Sequence, residues 1–136
     1  MKKMVMNIFA FGIMLSFLGG CALNNENKVL NFVFDGCTKV ELTNGTTGNQ
    51  VEIVDNGKIK TILNFFSIES FTRGESSSGS TGWRYRLKFY NNTDLIEDIT
   101  VMEENRINYS GYFYESKNNN INIIYLGELF DWDNKE

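Results

Sequence analysis

WRYRLKFY, residues 83–90, decides the fold class. Trp83, Tyr85, Leu87 and Phe89 fall on one side of an extended chain, and Arg84, Arg86 and Lys88 on the other. A strict period of two with aromatic and aliphatic residues on one side describes a half-buried β-strand. Downstream, Asn91 to Asp94 has turn chemistry, and Ile99 and Val101 carry the apolar face onto a following strand. Ile107 to Tyr109 and Tyr112 to Tyr114 flank Ser110-Gly111, a tight hairpin. Upstream, Thr38-Lys39-Val40-Glu41-Leu42-Thr43 alternates in the same way, and so does Val51-Glu52-Ile53. Between them lies Asn44-Gly45-Thr46-Thr47-Gly48-Asn49, opened by the Asn-Gly pair typical of hairpin turns.

The period then changes. Ile59, Ile62, Leu63 and Phe66 recur at i, i+3, i+4 and i+7, one face of a helix. Asp55 is placed to cap it, so a helix is expected from 56 to about 67. Residues 73–82 (RGESSSGSTG) read as a flexible loop and Lys117 to Asn120 as a polar one. Val29 to Phe34 fits either a first strand or the end of a tether. Ile121 to Phe130 fits a short closing helix through Ile121, Tyr125 and Leu129, with a strand at 121–126 as the alternative. The expected fold is α+β: a mostly antiparallel β-meander of about five strands, with one packed helix and a short C-terminal helix.

The first residues have a different character. Met1-Lys2-Lys3 is a short positive segment, Met4 to Leu18 is mostly apolar, and Gly19-Gly20-Cys21 follows. That order is the order of a secretory signal. The apolar run is short for a membrane span, which needs about 20 residues. Leu18-Gly19-Gly20-Cys21 resembles the lipobox of bacterial lipoproteins. There the cysteine thiol takes a diacylglyceryl group and cleavage makes it the first residue. The expected organisation is a cleaved signal peptide at 1–20, lipidated Cys21 with a short tether to 28, and one globular domain at 29–136. The expected location is the outer face of the cell membrane, held by a lipid anchor. Lipidation consumes Cys21 and leaves Cys37 as a lone thiol, read as a small buried apolar residue.

Composition narrows the chemistry. The net charge is −4, and setting aside Lys2 and Lys3 leaves the rest more acidic still. Such a chain is a poor partner for nucleic acid, whose binding rests on neutralising phosphates. There is no histidine, so neither a Ser-His-Asp triad nor an HExxH zinc site can be built. No metal site, cofactor or catalytic residue is expected. Gly74 to Thr81 nearly spells a phosphate-binding loop, but Ser80 stands where the lysine belongs. Asp131 to Glu136 is too short for a calcium loop. Glu97-Asp98 and Glu103-Glu104 point to opposite faces as strand neighbours, so neither pair is a dyad.

Arg84, Arg86 and Lys88 are the candidate binding residues. As a basic stripe they would dock an anionic cell-surface polymer, a lipid headgroup or an acidic protein. The alternative is cross-strand pairing with Asp98 and neighbouring acids.

The segments TNGTTGNQVEIVDNGKIKTIL (43–63), GWRYRLKFYNN (82–92), IEDITVMEENRINYSGYFY (96–114) and IIYLGEL (123–129), together with the lipobox, resemble a group of small lipoproteins from Gram-positive bacteria whose function is unknown. The resemblance implies a location and a fold, and brings no activity. The functional expectation is a non-enzymatic, membrane-anchored binding domain. An immunity or inhibitor protein against a secreted toxin or hydrolase is the alternative, and a glycan hydrolase using carboxylates alone a distant third.

Overall fold

The computed structural model describes residues 28–132. The leader at 1–20, Cys21 and the tail at 133–136 lie outside the described residues, as does the tether up to residue 27. Ten elements follow in order: β1 (Val29–Leu30), β2 (Lys39–Asn44), β3 (Gln50–Ile53), α1 (Asn56–Ser67), β4 (Phe71–Ser76), β5 (Tyr85–Asn91), β6 (Asp94–Glu103), β7 (Arg106–Tyr109), β8 (Tyr112–Glu115) and α2 (Ile123–Trp132).

The strands form one sheet in the order β1-β4-β8-β7-β6-β5-β2-β3. Every neighbouring pair is antiparallel. Its centre, β5 to β8, is the expected meander. The β2–β3 hairpin joins one flank through β5, and β4 with β1 joins the other through β8. Local chemistry sets the turns. Asn44 accepts hydrogen bonds on Oδ1 from the Thr46 and Thr47 amides, and Gly48 takes a φ of +75°. Ser110 and Gly111 both have positive φ, 50° and 85°, as a two-residue hairpin turn of the primed type requires.

Register places the apolar residues in rows. Leu42 faces Leu87, which faces Ile99. Tyr85 faces Val101, which faces Ile107 and then Tyr114. All lie on one side of the sheet, and both helices cover that side. α1 buries Ile59, Ile62 and Phe66, and α2 buries Leu126 and Leu129. Phe66 packs edge-on against Phe89, while Phe32 meets Phe66, Phe71 and Tyr109 in further edge contacts. Fully burying a side chain such as Leu87 contributes about 1.5–3 kcal/mol.

Both helices begin on a side-chain cap. Asp55 Oδ1 accepts from the Lys58 amide at 2.9 Å, as expected. Asn122 Oδ1 accepts from the Tyr125 amide at 3.0 Å, so the segment closes as a helix rather than a strand, but it runs Ile123–Trp132 and Ile121 lies ahead of it rather than on it.

Three expectations need correction. The sheet has eight strands rather than about five. The hairpin at 106–115 contributes two of them, and β1 is a two-residue edge. The third source is β4, whose residues 73–76 had the composition of a flexible loop. β4 is fixed by pairing with β8, Thr72 opposite Glu115 and Arg73 opposite Tyr114, so tertiary contact overrides composition. Trp83, assigned by alternation to the apolar face, lies outside β5 and is 37% exposed. Cys37 is half-buried rather than buried, against the rim of the core.

Candidate functional site

A sheet with both helices on one side leaves its other side to solvent. That open face carries the residues that alternate with the core: Lys39 and Glu41 on β2, Glu52 on β3, Arg86, Lys88 and Tyr90 on β5, and Asp98 and Thr100 on β6. In antiparallel register Glu52 faces Glu41, Glu41 faces Lys88, and Lys88 faces Asp98. Charges of both signs are therefore interleaved across four strands.

The three candidate residues take three different situations. Arg86 grips Asp98 with two parallel bonds, Nε to Oδ1 at 2.9 Å and Nη2 to Oδ2 at 2.6 Å. This fork geometry is the favoured arrangement of guanidinium and carboxylate, and the Asp98 carboxylate holds the guanidinium further into its charged form. Lys88 sits in register between Glu41 and Asp98 but reaches neither within ion-pair distance. Arg84 precedes β5 and its side chain is exposed. Its backbone is pinned on both sides, donating from N to the Val101 carbonyl and accepting on O from the Gly45 amide at 2.7 Å. The stripe is thus one spoken-for guanidinium between two cations that pair with no acid among the described residues.

Around it lie contacts that the sequence pattern does not announce. Lys39 Nζ stands 3.6 Å from Glu41 and 3.7 Å from Glu52, and 4.6 Å from the centre of the Tyr90 ring. Tyr90 donates its hydroxyl to Glu41 at 3.1 Å. Burial, with Glu41 adding to it, raises the Tyr90 phenol. Further along, Arg106 lies over the Phe113 ring at 4.1 Å and pairs with Glu75 and Glu115. Apart from Lys39–Glu41, which lie two residues apart on β2, these pairs become readable only once register is known, because each joins residues from different strands.

Beside the Arg86–Asp98 pair is an open depression of 440 Å³, lined by Arg86, Leu95, Asp98, Thr100, Asn108 and Tyr109 among others. Glu97 also borders it. Its carboxylate accepts the Tyr109 hydroxyl at 2.7 Å, on a ring that packs against Phe32 and Tyr114. Burial and this bond push the Tyr109 phenol up to about 12. Glu97 and Asp98 therefore each hold a partner of their own, on different sides of β6.

The near phosphate-loop motif divides between β4 and the segment after it. Gly74, Glu75 and Ser76 are strand residues, and Ser77 donates its hydroxyl to Asn108 Oδ1 at 2.9 Å. Among the described residues no group of three or more His, Cys, Asp or Glu is arranged to hold a metal ion, and no helix is long and apolar enough to cross a membrane. Comparison with protein-family models, with curated proteins and with solved structures finds no match to this chain.

Proposed function

We propose that this protein is a lipid-anchored bacterial lipoprotein whose folded part is a non-catalytic binding module, and that its open sheet face receives another protein. The anchor reading rests on Leu18-Gly19-Gly20-Cys21 at the end of an apolar leader. The observation that carries the binding reading is the charge arrangement of the open face. Lys39, Arg86 and Lys88 alternate with Glu41, Glu52 and Asp98. A polyanion is attracted by a net positive field. A face with both signs in fixed register suits a partner with its own complementary pattern, which gives specificity more than raw affinity. This favours a protein over an anionic cell-surface polymer. An immunity or inhibitor role is the form the reading takes if that partner is a secreted toxin or hydrolase.

Exposed Arg84 and half-buried Lys88 pair with no acid among the described residues, whereas Arg86 already has Asp98. Crosslinking on intact cells, with mass spectrometry of what is captured, tests this. The double variant Arg84→Glu, Lys88→Glu should lose the protein captured by wild type while keeping its circular dichroism spectrum. Unchanged capture by a folded variant would remove the open face as the docking surface.

A further inference from the structure

The sheet has two edges, β1 and β3, and the chain reaches the domain at only one of them. Cys21 is separated from β1 by residues 22–28. Seven residues cannot span more than roughly 25 Å even when fully extended. Any anchor at Cys21 therefore holds β1 close to the bilayer.

That end of the molecule exposes aliphatic side chains. Val29 on β1 is 53% exposed and Ile68, at the C-terminal end of α1, is 64% exposed. Both line a depression of 740 Å³, together with Glu69, Thr72, Glu115 and Lys117 among others. The two carboxylates in it are engaged within the protein. Glu69 accepts from both the backbone and side-chain amides of Asn118, which holds its carboxyl below the usual range. Glu115 pairs with Arg106 at 3.5 Å. Lys117 is exposed, as is Lys28 where the tether joins β1. Exposed aliphatic side chains beside lysines with long apolar stems match a headgroup boundary: the aliphatic groups enter it and the ammonium groups stay at the phosphates.

We infer that the β1 end of the domain, through Val29 and Ile68, rests on the lipid bilayer that anchors it, so that the sheet stands upright on the membrane. This rests on the lipid-anchor reading. Two aliphatic side chains would not hold a free protein on a bilayer, since even one myristoyl chain binds only marginally. Tethering changes the comparison, because the contact becomes intramolecular and needs only to select one orientation. With about 4.8 Å between strands, the eight-stranded sheet then carries β3 up to roughly 34 Å from β1. The open face stands side-on to the membrane, reachable from the medium.

Nitroxide accessibility measures this directly. The protein, expressed from the whole sequence in a lipoprotein-processing bacterium and purified from it, carries Cys37→Ser and either Ile68→Cys or Gln50→Cys for labelling, and is mixed into phosphatidylglycerol–phosphatidylcholine vesicles. The label at 68 is expected to show an oxygen-to-nickel accessibility ratio several-fold above that at 50. Equal, water-like ratios in protein that floats with the vesicles would overturn the orientation and leave the anchor standing. Protein that fails to float would overturn the anchor reading, and the orientation with it.

Discussion

At the scale of single residues, Tyr109 links the core to the pH dependence of folding. Its phenol, pushed to about 12 by burial and by Glu97, keeps in the folded state a proton that an unfolded tyrosine gives up near 10. The folded pKa is the higher one, so the contribution is complete below the unfolded value and is lost as pH rises through the folded one. Stability should therefore decline between about pH 10 and 12. Urea unfolding at about pH 8 and about pH 11 checks this. Tyr109→Phe should be less stable than wild type at the lower pH, by about 1 kcal/mol for the lost hydrogen bond. It should also lose less between the two. An equal loss in both proteins would remove Tyr109 from the alkaline limb. Cys37 and Tyr90 are also raised, so the variant should still retain some decline. None of this is legible in sequence: Tyr109 reads as one more aromatic strand residue, and Glu97 meets it only because β6 and β7 pair. Trp83 fails in the opposite direction. Its alternation says core, but the chain turns just before β5, and the indole lies against Gly45. A side chain at 45 would meet Trp83 Cε3 at 2.7 Å and its carbonyl oxygen closer still.

At the scale of elements, legibility follows how local the signal is. α1 is written in four apolar positions and one cap, all within its own turns, and it appears where the pattern puts it. The hairpin turns are equally local, since Asn44, Ser110 and Gly111 act on their own backbone. β4 carries no such signal. Its Gly and Ser residues match a loop, and only the partner β8, distant in sequence, makes it a strand. The basic stripe is legible further: alternation places Arg86, and the cross-strand alternative already names Asp98, but that Arg86 rather than Lys88 holds it depends on the β5–β6 register, which a bulge shifts between Phe89 and Tyr90. The cap of α1 offers a direct check. Asp55→Ala should cost about 1 kcal/mol by removing the acceptor for the Lys58 amide, while Asp55→Asn should cost little. Equal urea midpoints for Asp55→Ala and wild type would show that the cap contributes nothing.

At the scale of the whole molecule, the asymmetry of the sheet organises everything else. One side is closed by α1 and α2 and supplies the stability; the other is open and supplies a patterned polar surface. One edge, β1, is the first described strand, and the other, β3, lies at the far end of the strand order. The fold class was legible because alternation and helical periodicity recur along most of the chain. The width of the sheet was not, because β1 and β4 become strands only through their neighbours. Function is narrowed mainly by residue types, above all the lack of histidine, and by the leader, whose reading decides where the domain works. Incorporation of a palmitate analogue in cells is the measurement that bears most directly on that reading. Wild type should carry the label and Cys21→Ala should not. Equal labelling of the two, or no labelling of wild type, would contradict the lipid anchor at Cys21.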